Sequence, residues 1–286
     1  MRHIISLTAI PPRFADLGLT LHSLLRQKSR PEAVELWIPH SYRRFPQWGG
    51  GLPDVPEGVT LRRVDVDYGP ATKVLPALRE WRGQAVEILF SDDDRYFSPD
   101  WSLRFLKVRR ERPGVAICAT GTTVARMGGG GAAYAPLPRA LPAPPLEEQW
   151  GYQLRRLFGI LLNRPDRRRL ALLTEGVGRS GHVDIAEGYR GIMIRPDFLD
   201  DAVYDIPPVL WTVDDVWISG HLARRGVAIW ADRRLNRSQM IRAQSDAAPL
   251  YKSVIEGADR EAANLACIDY MRRTYGIWGG VAIQST

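Results

Sequence analysis

The sequence predicts an α/β protein with a mostly parallel central sheet flanked by helices. Short apolar runs alternate with helical patterns over residues 1–120, and the same alternation returns after residue 190. One apolar run, at residues 86–91, ends directly at three aspartates. Strands that alternate with helices favour a parallel sheet, because parallel neighbours need a crossover between them.

The composition fits a soluble globular protein, and we expect residues 1–286 to form a single domain. Apolar residues make up 45% of the chain and charged residues 25%, which excludes a wholly disordered protein. The net charge of +7 suggests an anionic partner such as a nucleotide, a nucleic acid or a membrane surface. Only four of the 39 basic residues are lysine, and a GC-rich genome would explain that bias equally well. Cys118 and Cys267 lie in apolar contexts and are expected to be buried free thiols.

The first elements follow from apolar periodicity. Residues 4–8 and 34–38 are apolar runs of strand length. Between them, leucines recur at the spacing of one helix face, at Leu17, Leu21, Leu24 and Leu25. Residues 59–66 predict a weaker strand, and residues 71–81 predict a helix that Pro76 shortens or kinks.

The next segment predicts strands at residues 86–91 and 115–119, with a helix at 100–110 between them. Residues 127–145 are rich in Gly, Ala and Pro and have no periodicity, so they predict a loop. Residues 149–173 mix apolar residues with arginines, the pattern of a basic amphipathic helix. That helix fits either a solvated arginine face or an element that contacts a membrane or an acceptor.

The last third predicts four more elements in α/β order. They are a strand at 191–195, a helix at 214–225, a strand at 227–231 and a helix at 261–275. The sequence shows no internal repeat.

Asp92, Asp93 and Asp94 follow the apolar run at residues 86–91. Ligands of open α/β sheets bind outside the carboxyl ends of the strands. Three adjacent carboxylates repel one another when they are partly desolvated, and a divalent cation relieves that repulsion. Mg²⁺ and Mn²⁺ commonly take one or two carboxylates together with phosphate oxygens. These residues therefore predict a site for a metal-bound diphosphate.

Four motifs in this order resemble the GT-A class of nucleotide-sugar glycosyltransferases, a Rossmann-like fold, in its family-2-like or exostosin-like members. The motifs are the strand ending in an acidic DxD-type triplet, the segment 68–73, the glycine-containing segment 183–191 and the acidic pair within 213–217. The resemblance spans residues 3–231. It implies a nucleotide-sugar half at about 1–125, a flexible loop and basic helix at about 126–175, and an acceptor half with the C-terminal helix at about 176–286.

The resemblance also assigns roles to residues on the donor side. Asp94 is implied to bind the metal directly, with Asp92 and Asp93 near the metal and the donor. Lys73 is implied to contact the diphosphate or organise the donor, and Thr8 and Arg13 lie where the family holds the nucleotide. Arg190, between Tyr189 and Gly191, is a further candidate for donor binding, because arginine pairs well with phosphate.

Asp215 is the implied general base, since in inverting members the second acid of the later pair takes the proton of the acceptor. Its neighbour Asp214 stands where glutamate is commoner, which leaves the division of labour between the two open. Both acids also suit the N-terminus of a helix. Retaining members carry a late acidic pair as well, so the stereochemical outcome stays open.

The acceptor and the metal receive further candidates. Glu187, Gly188 and Tyr189 lie in the segment that resembles an acceptor-side loop, and Trp217 is a candidate platform for a sugar ring. His221 lies seven residues after Asp214 on the same helix face, so it is a candidate for the metal or the diphosphate.

Two other function classes remain open on the residues alone. The basic charge favours a nucleic-acid-binding protein, but the sequence has no helix-turn-helix, zinc-finger or RNP-type pattern. The carboxylates also fit a metal-dependent nuclease or phosphotransferase. Neither a GxxxxGK[ST] motif nor a GxGxxG motif follows the first strand, and residues 128–131 are a glycine run without the strand and helix of a phosphate loop.

The sequence thus predicts a glycosyltransferase of hexosyltransferase type that uses Mn²⁺ or Mg²⁺ and a UDP-sugar. We expect a glycan or lipid-linked acceptor and no nucleic acid. The N-terminal apolar stretch is too short for a signal peptide, and no apolar run approaches the ~18–20 residues of a membrane span. We therefore expect a cytoplasmic protein that contacts a membrane, if at all, through residues 149–173.

Overall fold

A computed structural model describes residues 1–131, 133–143, 170–172, 176–235, 238–241 and 259–279. The strands, numbered along the chain, are β1 (His3–Thr8), β2 (Val34–Pro39), β3 (Val59–Val64), β4 (Glu87–Phe90), β5 (Arg95–Phe97), β6 (Ala116–Thr122), β7 (Leu141–Pro142), β8 (Leu170–Leu172), β9 (Val177–Arg179), β10 (Gly181–Val183), β11 (Ile185–Ile194), β12 (Ile229–Ala231) and β13 (Ser238–Ile241). The α-helices are α1 (Gly18–Leu25), α2 (Leu75–Glu80), α3 (Trp101–Glu111), α4 (Asp214–Arg224) and α5 (Arg260–Tyr275). Short 3₁₀ helices lie at Pro11–Asp16, Gly69–Lys73, Ala125–Met127, Pro196–Phe198, Asp201–Tyr204, Pro208–Leu210 and Arg233–Leu235.

The main sheet is mostly parallel, as the sequence predicts. Within the described residues it has eight strands in the order β10-β12-β6-β11-β4-β1-β2-β3. Six of them run in one direction, and β10 and β11 run against their neighbours. Two smaller sheets pair β5 with β13 and β8, and β7 with β9. The α/β fold class is therefore confirmed.

Both faces of the main sheet are buried. Successive residues of one strand point to opposite faces, so Ile88 belongs to one apolar core and Leu89 to the other. The first core includes residues of α2, α4 and α5, and the second includes residues of α1 and α3. The protein is thus a three-layer sandwich in which β1, β2 and β4 are buried almost throughout, as expected for strands covered on both faces.

Most predicted elements are present, with differences that have physical reasons. Pro76 is the second residue of α2, where its missing N–H breaks no helical bond, so it begins the helix and does not kink it. The segment 183–191, predicted as a loop, instead forms most of β11, whose pairing with β6 shifts between Glu187 and Ile192. Three-residue strands such as β5 and β10 were not predicted, because so short a run carries no periodicity.

The predicted basic helix at residues 149–173 lies almost wholly outside the described residues. Its end, at Leu170–Leu172, forms β8 and pairs with β13, so the helical prediction is wrong there. Within the described ranges, every helix is too short or too polar to cross a bilayer.

The topology brings several chain segments to one edge of the sheet. Because β1 and β4 are parallel, the ends of both strands lie at the same edge. β11 runs antiparallel to β4 with Ile192 opposite Phe90, so the start of β11 lies beyond the end of β4. This edge is where a ligand of an α/β sheet is expected.

Candidate functional site

The three aspartates lie where the sequence places them, directly after the buried strand β4. The side chains of Asp93 and Asp94 are buried, whereas that of Asp92 is 36% exposed. Thr20 of α1 donates a hydrogen bond from Oγ1 to the backbone oxygen of Asp93, over 2.6 Å. The turn is therefore held against α1, and Asp92 is its solvent-facing member.

Each aspartate is paired with a basic side chain of the protein itself. The pairs are Lys73 with Asp92, Arg13 with Asp93 and Arg95 with Asp94, at closest N–O distances of 2.6, 2.6 and 3.0 Å. The expected repulsion among the carboxylates is thus largely offset without a metal ion. Repulsion alone therefore does not require a metal ion, and the metal stays a prediction.

The surroundings shift the pKa values of the three carboxyls in different directions. Burial raises the pKa of Asp93 to about 6, even though Arg13 opposes the shift. Burial likewise raises the pKa of Asp94, against the effect of Arg95. For Asp92 burial also acts upward, but the Lys73 ammonium outweighs it and lowers the pKa to about 2. Asp92 is therefore the most firmly ionised member of the triplet.

The triplet fits a divalent cation only in part. Asp93 Oδ2 and Asp94 Oδ1 are buried hard oxygen atoms that accept no hydrogen bond, although Arg95 Nε lies 3.0 Å from Asp94 Oδ1. No group of three or more His, Cys, Asp or Glu side chains in the described part of the chain is arranged to hold a metal ion. A Mn²⁺ or Mg²⁺ ion here would complete its coordination with oxygens of a bound phosphate and with water, which is the usual habit of Mg²⁺.

Lys73 lies at the centre of the site. Its Nζ is 2.6 Å from Asp92 Oδ1 and 2.8 Å from Asp214 Oδ2, and the side chain is only 4% exposed. Burial lowers the pKa of this lysine, but Asp214 and Asp92 outweigh burial and raise it above its usual value. Lys73 is therefore a charged ammonium that joins the end of β4 to the beginning of α4.

Asp214 and Asp215 are the first two residues of α4, and neither caps the helix, because the N-cap is Val213. The backbone N–H of Gly188 donates to Asp215 Oδ1 over 2.9 Å, and Arg260 Nη2 lies 4.0 Å from Asp215 Oδ2. Burial and then the neighbouring Asp214 raise the pKa of Asp215 to about 8, against the effect of Lys73. A carboxyl group with such a pKa can exchange a proton near neutral pH.

The start of β11 supplies the wall opposite α4. Gly188 has no side chain, and a Cβ there would lie 2.9 Å from Lys73 Nζ and 3.1 Å from Asp215 Oδ1. Glu187 and Tyr189 are half-buried, and the Tyr189 ring has the guanidinium of Arg95 at 4.9 Å. These residues line the same edge of the sheet as the aspartates.

Two donor-side candidates are engaged within the protein. Thr8 donates from Oγ1 to the backbone oxygen of Trp37, over 2.7 Å, which ties the end of β1 to β2. Arg190 is buried, with its guanidinium 5.5 Å from the Tyr189 ring, and its backbone oxygen accepts a hydrogen bond from Trp101 Nε1. Both lie on strands that reach the site, whereas Arg13 contacts the site directly.

Two predicted roles are corrected. Trp217 is 0% exposed and donates from Nε1 to the backbone oxygen of Val203, so it has no free face for a sugar. His221 is also 0% exposed, and its ring packs 4.4 Å from that of Trp217. Burial and the nearby Arg224 lower the pKa of His221 to about 4. Both are core residues, because α4 turns this face toward α5.

Comparisons with known proteins give a fold likeness only. No known family profile matches the sequence, and no curated protein matches it. The fold is similar to that of S. aureus TarS. The similarity to TarS residues 1–349 has a TM-score of 0.43 at 14% identity and covers 95% of this chain and 72% of that one.

Two further TarS structures are similar to the same degree. The complex with UDP gives a TM-score of 0.40 at 15% identity, covering 82% of this chain and 58% of TarS. The complex with UDP-GlcNAc gives 0.40 at 14% identity, covering 82% and 56%. At these scores the likeness carries no inference about activity, which has to come from the site.

Sequence reasoning missed two charged residues of this site. Arg95 follows the three aspartates directly and pairs with the last of them, so a basic residue adjoining an acidic triplet was an available signal. Arg260 reaches Asp215 from the first residue of α5, and nothing in the sequence connects the two.

Proposed function

We propose that this protein is a glycosyltransferase that moves a sugar from a UDP-sugar to a glycan or lipid-linked acceptor. One observation carries the proposal. Two acidic groups from distant parts of the chain, at the end of β4 and the start of α4, share one buried lysine at the carboxyl edge of the sheet. The motif resemblance places these two acidic groups at one site, and their meeting at Lys73 supports it.

On the donor side, Asp92, Asp93 and Arg13 hold the nucleotide-sugar, and Thr8 and Arg190 support them from the strands that reach the site. Asp92 is the exposed carboxylate of the triplet and is within reach of a ligand hydroxyl. Arg13 already lies at the site through Asp93, so its guanidinium is placed to contact an anionic ligand.

Asp94, assisted by Asp92, holds Mn²⁺ or Mg²⁺ together with the phosphates of the donor. Asp94 Oδ1, which accepts no hydrogen bond although Arg95 Nε lies 3.0 Å away, supports this assignment. When bound, the ion supplies Lewis-acid stabilisation of the negative charge on the departing diphosphate.

Asp215 acts as the general base and gives an inverted product. Its Oδ1 is oriented by the Gly188 N–H, so the carboxylate is held in one position before the acceptor binds. Burial disfavours its charged form, which makes it a stronger proton acceptor than an exposed aspartate. The proton of the acceptor hydroxyl passes to Asp215 as that oxygen attacks the sugar carbon and the bond to the nucleoside diphosphate breaks.

The start of β11 receives the acceptor. Glu187, Gly188 and Tyr189 lie beside Asp215, and Tyr189 offers a half-buried aromatic ring that suits the apolar face of a sugar. Bringing donor and acceptor together on either side of Asp215 supplies the proximity that transfer requires.

A thermal-shift experiment tests the proposal. A ligand at 100 times its Kd stabilises the folded state by about 2.7 kcal/mol, so UDP with Mn²⁺ is expected to raise the Tm by several degrees. A single-stranded oligonucleotide at equal phosphate concentration is expected to leave the Tm unchanged. A Tm rise with the oligonucleotide and none with UDP would favour a nuclease or a nucleic-acid-binding protein instead.

A further inference from the structure

We infer that Lys73 is a positioning residue that clamps the first turn of α4 to the end of β4, and that it is not a ligand of the donor diphosphate. The inference rests on the proposed function and concerns how its site is held together. It replaces the role that the motif resemblance implies for this lysine.

The ammonium of Lys73 is already shared between two carboxylates. Asp92 and Asp214 lie 2.6 and 2.8 Å away, and they belong to different elements of the fold. The ammonium donates a hydrogen bond to Asp92 Oδ1 and forms an ion pair with Asp214 Oδ2. Because Lys73 is only 4% exposed, a diphosphate would have to compete with these two carboxylates for a nearly buried ammonium.

The backbone of Lys73 is fixed as firmly as its side chain. Ser6 of β1 donates from Oγ to the backbone oxygen of Lys73 over 2.7 Å. Lys73 is also the last residue of the 3₁₀ helix Gly69–Lys73, whose Thr72 accepts a hydrogen bond from the Tyr68 N–H. A residue that is held at its backbone and at its ammonium fits a positioning role better than a substrate-binding role that requires the side chain to move.

The space around Nζ is closed on the side of β11. A Cβ at Gly188 would lie 2.9 Å from Nζ, so the backbone of β11 passes directly over the ammonium. The same glycine binds Asp215 through its N–H. Lys73 thus sets the position of Asp214, and the turn that Asp214 begins presents Asp215 to Gly188.

The two possible roles of Lys73 predict different effects on the rate of transfer and on the affinity for UDP. If Lys73 acts through the position of α4, its loss should lower the rate of transfer while UDP still binds. If Lys73 contacts the diphosphate, its loss should weaken UDP binding as well.

The test compares Lys73→Met with Lys107→Met, the same change at an exposed lysine of α3. We expect Lys73→Met to bind UDP with nearly wild-type affinity by isothermal titration calorimetry, and kcat to fall about 10²-fold, as misplacement of catalytic groups commonly does. We expect Lys107→Met to change neither quantity. A loss of UDP affinity of about tenfold or more in Lys73→Met would overturn the clamp, whether or not kcat falls as well.

A double-mutant cycle adds a readout that a loss of stability would not produce. We expect Lys73→Met/Asp214→Asn to lose no more kcat than the worse of its two single variants, because both changes release the same contact. Losses that multiply would overturn the clamp. The double variant also removes a carboxylate that Lys73→Met leaves unpaired, so it carries the test if the single variant does not fold.

Lys73→Arg provides a further variant that keeps the positive charge. A guanidinium is larger than an ammonium and does not substitute for it in a confined site, so we expect reduced kcat and retained UDP affinity. Wild-type kcat in any folded Lys73 variant would overturn the clamp. If the wild-type protein neither binds UDP nor transfers a sugar, the proposed function fails. If the wild type does both and only the results for the Lys73 variants differ from those expected, the clamp alone fails.

Discussion

The backbone N–H of Gly188 donates a hydrogen bond to Asp215 Oδ1 over 2.9 Å. Through this bond, an antiparallel strand of the main sheet orients an acid on the first turn of a helix. Lys73 holds the other acid of that turn. The two contacts place the proposed base at a defined position relative to the three aspartates, and the following predictions depend on this arrangement.

Replacement of the proposed base should abolish transfer and spare donor binding. Asp215→Asn keeps the shape of the side chain but cannot accept the acceptor proton, so we expect kcat to fall by about 10²–10⁴-fold. UDP binding, measured by calorimetry, should stay near that of the wild type. The matched control is Asp197→Asn, the same change at an exposed aspartate, and full activity in Asp215→Asn would rule out its role as base.

The pH dependence of transfer should report the ionisation of Asp215. Burial and then Asp214 raise its pKa to about 8, whereas Lys73 and Arg260 oppose the shift. Because only the ionised carboxylate accepts a proton, kcat/KM should rise with pH up to about 8 and then level off. An activity independent of pH between 6 and 9 would contradict this assignment.

The same pKa gives a stability prediction with a definite sign. The pKa in the folded protein is above the ordinary value of 3.8, so the unfolded chain releases this proton first. The contribution of protonated Asp215 to the stability of the folded protein is therefore complete below pH 3.8 and is lost as pH rises through about 8. Asp215→Asn should gain Tm relative to the wild type between pH 5 and pH 9, as differential scanning fluorimetry can measure, and a relative loss would show that the sign is wrong.

A methyl group at Gly188 should disrupt the site. In Gly188→Ala the new Cβ would lie 2.9 Å from Lys73 Nζ, which two carboxylates hold in place, and 3.1 Å from Asp215 Oδ1. We expect at least a tenfold loss of kcat, since an increase of about 1.4 kcal/mol in the activation free energy lowers the rate tenfold. Gly114→Ala is the control, because a Cβ there meets nothing within 4 Å, and equal activity of the two variants would contradict the close packing described.

The metal assignment has a test of its own. If Asp94 holds the ion, UDP should raise the Tm more with Mn²⁺ than with a chelator, and Asp94→Asn should remove that difference. The control is again Asp197→Asn, which lies on the surface. If Mn²⁺ still increased the UDP-dependent rise in Tm of Asp94→Asn as much as that of the wild type, the ion would have to lie elsewhere.

Much of the fold could be predicted from the sequence, because apolar runs of five or six residues mark the buried strands. β1, β2 and β4 could be predicted in this way, and the aspartates could then be placed directly after β4. The two acids of α4 could also be placed on a helix start. What joins them could not be predicted, since the contact of Lys73 with both Asp92 and Asp214 depends on three separate chain segments.

The errors arise where sequence spacing leaves the direction of a side chain undefined. Helical spacing puts His221 and Asp214 on related faces, but it does not say which part of that face is covered by α5. The partners in the core, Trp217 and Tyr275, come from α4 and α5. β11 was difficult for another reason: Gly191 has a positive φ of 113° and interrupts the alternation expected of a strand.

The central claim is that this site cleaves a nucleotide-sugar and that Asp215 takes part. The most direct measurement is release of the nucleoside diphosphate from a panel of nucleotide-sugars, with Mn²⁺, for the wild type and Asp215→Asn. We predict UDP release from at least one UDP-sugar by the wild type, accelerated by the right acceptor, with acceptor-dependent release lost in Asp215→Asn. Absence of release from every nucleotide-sugar in the panel, or equal acceptor-dependent release by both proteins, would contradict the account.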